Sequence, residues 1–210
     1  MKRVFIVTHT EASHHKAGLV GGWYDSALTA LGHDQAQATA LKLASMIDDS
    51  DVQLISSDLK RAVQTSKPIA EAFGCDVALS ADLREISYGT AEGKPDSWLE
   101  ARWVPTPDEN RMDHRNLPGN ETRREFATRI YRGFAPVLEA SDGTFIIVTH
   151  GFAQTFVIAA WIGMPIEETG LLNFASTPGG ITELVQDDHF RNRAVKSLAN
   201  RDHLTAKQVL

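Results

Sequence analysis

The hydrophobic pattern opens on RVFIV (residues 3–7), a β-branched and aromatic run of strand length that leads directly to His9. The next segment switches period. LTALGHDQAQATALKLASMI sets Leu31, Ala38, Leu41 and Ala44 at helical spacing, with Thr29 as its N-cap. VQLISS predicts a second strand, running into the helix SDLKRAVQTSKPIAEAFG, capped by Ser57 and stopped by Gly74. VALS predicts a third strand. Residues 94 to about 120 break the pattern: they are rich in Pro, Arg, Trp and acidic residues and read as an irregular insertion before the helix ETRREFATRIYRGFAPVLEA. TFIIVTH is then a central strand and GFAQTFVIAAWIG a buried helix opened by Gly151. LLNFAS and GGITELVQ read as hairpin strands around the turn TPGG, and AVKSLA as the last strand.

Strands alternating with helices predict an α/β fold, a mostly parallel sheet sandwiched by helices with a small inserted lobe. The 210 residues suit a single domain (1–210) with a cap-like segment inserted at about 94–125. In such sheets ligands bind beyond the carboxyl ends of the strands. Two strands end alike at that edge, FIVTH at His9 and FIIVTH at His150.

The net charge of −6 argues against a nucleic-acid or membrane-surface role, so any anionic ligand must be met by a local positive pocket. The apolar start is too short for a signal peptide, and the longest apolar stretch, around FVIAAWIG, is too short to span a bilayer. The single Cys75 forms no internal disulfide and reads as packing at the start of a strand. A cytoplasmic location is expected.

Paired imidazoles at a sheet edge are compatible with a metal site, with a nucleophile beside an anion-binding group, or with hydrogen-bonded polar groups of the core. No HxH or HExxH spacing supports a metal, and a zinc site from His9, His14 and His15 has no clear geometry. Around the pair stand Arg61, in the first turn after ISS, Glu85, after the third strand, and Gly151, at a helix start. A helix N-terminus and a guanidinium both suit phosphate, and a carboxylic acid can protonate a leaving oxygen. The assembly these residues suggest is phosphoryl transfer through a phosphohistidine. Spacing alone leaves it level with the core-histidine reading.

The segments GGWYDSALTALGHDQA, ISSDLKRAVQTSKPIAEAFG, LREISYGTAEG, PGNETRREFATRI, IIVTHG and SLANRDHL, in that order, resemble those of the histidine phosphatase superfamily, the phosphoglycerate-mutase-like proteins. The resemblance runs from about residue 3 to 204 and leaves only 94–117 unplaced. It implies a metal-independent phosphomonoesterase without cofactor, acting on a small phosphorylated metabolite. His9 is then the phosphorylated nucleophile, Arg61 and His150 bind the phosphoryl group with Gly151, and Glu85 is the proton donor that later assists water. Ser57 and Asp58 are expected to be structural helix-start residues, and Gly22 and Asp25 to shape the loop.

The chain departs from the family where it matters most. The signature Arg-His-Gly-Glu reads Thr8-His9-Thr10-Glu11, so a phosphate-clamping arginine is absent; the family's usual asparagine falls at His15, and an arginine of its mutase-like members at Leu19. One charged hydrogen bond contributes roughly 1.5–3 kcal/mol, about ten- to a hundred-fold in rate. Compensation is expected from His15, as a further phosphate-binding residue, or from Arg102, Arg111 or Arg115 of the insertion. His14 is expected to be exposed, Trp98 and Trp103 to wall the pocket or pack the lobe, and Glu11 or Thr10 to fix the His9 tautomer. Two alternatives stand beside the phosphatase: a weakly active or non-catalytic ligand-binding relative and, less favoured, a phosphoglycerate mutase. The expected partner is a small phosphorylated substrate, with no nucleic acid or membrane and with a homodimer as the assembly to test.

Overall fold

The computed structural model describes residues 1–49 and 51–208. Six strands form one sheet: β1 (Lys2–Thr8), β2 (Val52–Ser57), β3 (Val77–Ser80), β4 (Gly143–Thr149), β5 (Ile181–Gln186) and β6 (Arg193–Asn200), in the spatial order β3-β2-β4-β1-β5-β6. The first four of that order pair in parallel, whereas β5 and β6 join antiparallel at the far edge. The mostly parallel α/β sheet expected from the alternation is what forms.

Along the central strands, successive side chains serve opposite cores, as the two-residue period requires. Val4, Ile6, Phe145 and Ile147 face one core, which α5 (Arg123–Glu139) and α6 (Ala153–Trp161) cover. Phe5, Val7, Ile146 and Val148 face the other, beneath α2 (Ala30–Met46) and α3 (Lys60–Phe73). Burial on both faces explains why these strands read as unbroken apolar runs.

The helix-end signals at Thr29 and Gly74 are borne out. The Thr29 hydroxyl accepts from the Gly32 amide, and Gly74 terminates α3 at φ +62°, a left-handed conformation that favours glycine. At α5, Thr122 and Glu125 form a reciprocal capping box. Cys75 packs against the second core just before β3.

One expected strand needs correction. LLNFAS is no strand: a 3₁₀ turn covers Ile166–Leu171, and the backbone of Phe174 bonds to the side chains of Thr155 and Gln154 on α6 instead of a ladder. The hairpin partner of β5 is β6. The 94–122 segment is irregular apart from the single turn of α4 (Asp96–Glu100), and α5 has begun by Arg123, within the expected cap. Of the expected domain 1–210, Ser50, Val209 and Leu210 lie outside the described residues. A short helix α1 (Ser13–Ala17), not expected, follows the His9 loop.

Candidate active site

Strand register builds the site. β1 and β4 run parallel with Lys2 opposite Gly143 and Thr8 opposite Thr149, so the next residues, His9 and His150, leave the sheet side by side. Their rings meet edge to face with centroids 5.0 Å apart, and the His9 amide donates to the Thr149 carbonyl at 2.9 Å. The His9 Nδ1 lies 2.8 Å from the Thr10 carbonyl oxygen. A carbonyl only accepts, so Nδ1 carries the proton and Nε2 keeps its lone pair. Of the two groups expected to set this tautomer, Thr10 does so through its backbone, while Glu11 accepts the Thr29 hydroxyl. Burial and the neighbouring Arg61 charge hold His9 well below its ordinary pKa, leaving it neutral.

Arg61, in the first turn of α3, donates from Nε to His9 Nε2 at 3.1 Å. Its other nitrogens donate to the Tyr24 carbonyl at 2.8 Å and the Gly22 carbonyl at 2.7 Å. Burial lowers its pKa to about 10, so it stays charged at neutral pH. Gly22 adopts φ +55°, and a Cβ there would come within 2.9 Å of the Tyr88 ring. Asp25 accepts the Lys60 amide at 2.6 Å and so ties the loop to the start of α3. Gly22 and Asp25 thus shape the loop as expected, and the loop carbonyls orient the guanidinium.

Glu85 arrives from the loop after β3. Its carboxyl accepts the amides of Ile86 (2.8 Å) and Phe152 (2.9 Å), and its carbonyl is held by Trp23 Nε1 and Arg129. Burial raises its pKa, against the opposing pull of those amides and of Arg61 and Arg129. α6 begins at Ala153 with Phe152 as its N-cap, so Gly151 does not open the helix; it is a turn residue in the cavity wall. The helix-end amide of Phe152 is taken by Glu85.

Two residues read as bystanders stand closer to the chemistry. Ser57 is not the cap of α3, a place taken by Leu59; its hydroxyl lies 2.8 Å from His150 Nε2. His150 is fully buried behind His9, with burial and Arg61 depressing its pKa and with Nδ1 lacking a partner among the described residues. Asp58 is structural, as expected: it takes two bonds from Arg84, each 2.6 Å, just before Glu85. His14, expected to be exposed, is 7% exposed, lies 2.6 Å from the Ser26 hydroxyl through Nδ1, and is lowered to about 3 by burial and by His15 and Arg61.

Of the altered positions, Thr8 and His15 line this cavity, whereas the Thr10 hydroxyl turns to the Gly32 carbonyl and Leu19 bridges to Pro95. Thr8 Oγ1 lies 2.5 Å from Ser176 Oγ, and both line the cavity. His15 stacks on His9, centroids 5.5 Å apart and planes 12° from parallel. Its Nδ1 accepts the Ala12 amide, which puts the proton of the neutral ring on Nε2. The cavity measures about 240 Å³ and is walled by His9, His14, His15, Arg61, Glu85 and Tyr88 among others. His9, Arg61, Glu85, His15 and Gly151 thus come together there, with His150 directly behind. Among the described residues no three His, Cys, Asp or Glu side chains are grouped to hold a metal ion.

The insertion arginines separate. Arg102 lies over Trp98, and Arg115 pairs with Glu125 and the Asn120 carbonyl. Arg111 lines a second cavity together with Trp103, whereas Trp98 packs against a small cluster around Val20. None of the three is in the wall of the first cavity. Sequence reasoning missed Ser57, Ser176 and Arg129 as site supports. For Arg129, the repeated arginines of TRREFATRIYR were the signal available, with nothing in that pattern to say which one turns inward.

Comparison with known proteins agrees with this frame. A protein of Salmonella choleraesuis described as "Probable phosphoglycerate mutase GpmB" is 32% identical over 169 residues, 79% of this chain and 77% of that protein. A mycobacterial glucosyl-3-phosphoglycerate phosphatase has the same fold, with a TM-score of 0.76, 22% identity and coverage of 95% of this chain and 99% of that one. The alpha-ribazole phosphatase of Shigella flexneri superposes with a TM-score of 0.74 at 23% identity, over 94% of this chain and 96% of its own. Residues 4–198 match the histidine phosphatase superfamily (branch 1), and the chain belongs to that family.

Proposed function

We propose that the protein is a phosphomonoesterase that hydrolyses a small phosphorylated metabolite through a phosphohistidine at His9. The observation that carries this reading is the arrangement of a neutral His9, its Nδ1–H on the Thr10 carbonyl and its Nε2 against the Arg61 guanidinium, in one cavity with a carboxyl of raised pKa. In the first step Nε2 attacks phosphorus in line, the bond from phosphorus to the ester oxygen breaks, and Glu85 gives its proton to that oxygen. The ring becomes cationic, and the Thr10 carbonyl stabilises it through Nδ1–H. Arg61 still has guanidinium hydrogens beyond those on Gly22 and Tyr24 to meet the phosphoryl oxygens, and His15 Nε2–H supplies a further donor where the family's arginine is missing. In the second step water attacks phosphorus, Glu85 takes up its proton, and His9 leaves neutral. The side chains of this cavity suffice for both steps. A screen of phosphate release over phosphorylated metabolites, beside a His9→Ala control, tests the reading; absence of His9-dependent turnover of any compound overturns it.

A mutase is the second reading, favoured by the relative described as a phosphoglycerate mutase. It predicts exchange between phosphoglycerate isomers faster than hydrolysis, whereas the phosphatase reading predicts the reverse.

A further inference from the structure

Beside the phosphate cavity lies a second one of about 210 Å³, and the two share a wall. Tyr88 faces both; Glu85 and Gly151 line the first, and their chain neighbours Ile86 and Phe152 line the second. On the proposed mechanism the leaving oxygen departs toward Glu85, so the body of the leaving group continues past Ile86, Tyr88 and Phe152 into this neighbouring space.

That space is polar in an unbalanced way. Arg111 and Arg123 both line it. Arg123 lies over the Phe152 ring at 4.9 Å and donates from Nη1 to the carbonyls of Thr169 and Leu172, at 3.4 and 3.3 Å. Arg111 donates to the carbonyls of Gly170 and Pro107. Among the described residues Arg123 has no carboxylate within 4 Å, and Arg111 has one, the fully exposed Asp108 at 3.9 Å, beyond hydrogen-bond distance. Glu121, in the same wall, is already paired through both oxygens with Arg129. Burial and the charge of Arg111 both disfavour the charged form of Arg123, with Tyr88 acting in the opposite direction. Arg123 Nε and Nη2 and the Tyr88 hydroxyl have no protein partner among the described residues. Two arginines with free donors, neither hydrogen-bonded to a carboxylate among the described residues, beside aromatic rings, suit an anionic oxygen group.

We propose that this second cavity is the leaving-group subsite, in which Arg111 and Arg123 bind a second anionic group, a carboxylate or phosphate, at the far end of the substrate. The substrate class is therefore a doubly anionic organic phosphate, not a neutral phosphorylated alcohol. This inference rests on the phosphatase reading above.

The test uses three alkyl monophosphate series of increasing length, ending in hydroxyl, carboxylate or a second phosphate, with the intact protein and a His9→Ala control. At one matching length, kcat/KM for a doubly charged ester should exceed that of its hydroxyl counterpart by about ten-fold or more, the effect of one charged hydrogen bond. The carboxylate and bisphosphate arms separate the two anions. That preference ratio should collapse toward one in Arg111→Gln and in Arg123→Gln and be largely retained in Arg123→Lys. Arg111, whose side chain is 25% exposed, keeps the test available should the Arg123 change disturb folding. Equal turnover of charged and hydroxyl esters at every length, or a ratio unchanged in both glutamine variants, overturns the subsite. Turnover that survives His9→Ala overturns the phosphatase reading and the subsite with it.

Discussion

Arg61 Nε donates its hydrogen to His9 Nε2 across 3.1 Å, so the proposed nucleophile and the proposed phosphate-binding cation are each other's partners in the free protein. On the proposed mechanism the ring nitrogen that would attack phosphorus is hydrogen-bonded to Arg61 until an anion draws the guanidinium hydrogens to itself. Because the Gly22 and Tyr24 carbonyls grip the fork from behind, the guanidinium exchanges one partner without leaving its place.

Arg61→Lys therefore keeps a charge but loses that fork, since an ammonium on a flexible stem reproduces neither its planarity nor its spacing. Phosphate release should fall by about a hundred-fold or more. Equal activity in the lysine variant would show that charge alone matters.

The pH profile of kcat/KM should be set by His9 on the acid side and Glu85 on the alkaline side. His9 must be neutral, and its pKa lies well below 6.5, so no loss of activity should centre near 6.5. Glu85 must be protonated, and its pKa is raised above 4.5, so activity should fall as pH rises through that raised value. Glu85→Gln should lower the plateau and remove the alkaline limb. An alkaline limb that persists in this variant would assign the proton donor elsewhere.

Folding stability should also depend on acid. His14 is lowered to about 3 in the folded protein from 6.5, so below pH 6.5 the unfolded chain binds a proton that the native state refuses. Its contribution is complete above 6.5 and is lost as pH falls from there toward 3, by roughly 1 kcal/mol per pH unit. His9, His15 and His150 shift in the same direction, and Glu85, raised by burial, opposes them as one group. Urea unfolding between pH 7 and 5 should show stability declining with acid, less steeply in His14→Gln. Identical slopes would contradict the buried neutral His14.

Gly32 supplies a stability test next to the site. It lies in the first turn of α2, where its carbonyl accepts the Thr10 hydroxyl at 2.7 Å. A Cβ there would sit 2.0 Å from the backbone oxygen of Glu11, so one of the two segments must move. Gly32→Ala should destabilise the fold by about 1–3 kcal/mol in denaturant titration. It should also reduce phosphate release, because the displaced loop carries the Thr10 carbonyl that holds His9.

Arg129 holds the segment of the proposed proton donor, donating to the carbonyls of Asp82, Arg84 and Glu85 and to both oxygens of Glu121. Arg129→Ala leaves Glu121 and those carbonyls without their donor and should cost about 3–5 kcal/mol, measured by chemical unfolding. A loss below 1 kcal/mol would mean that water replaces it.

Local chemistry was enough to read the strands, the Thr29 and Gly74 helix ends, and His9, Arg61, Glu85 and His150 as one group at a sheet edge. Doubly buried strands are continuous apolar runs, helix ends need particular residue types, and a parallel sheet delivers its strand ends to one place. Where the sequence misled, the deciding partner was distant in the chain. LLNFAS is apolar enough for a strand, yet its backbone is satisfied by Thr155 and Gln154 of α6. Ser57 has the composition of a cap, but the parallel register brings His150 to its hydroxyl. His14 carries no periodic signal for burial, and only the fold of the Gly21–Ser26 loop over α1 encloses it. The arginines of the irregular insertion have no period to orient them. Tertiary packing alone turned Arg111 toward the second cavity beside Arg123 and sent Arg102 and Arg115 to Trp98 and Glu125.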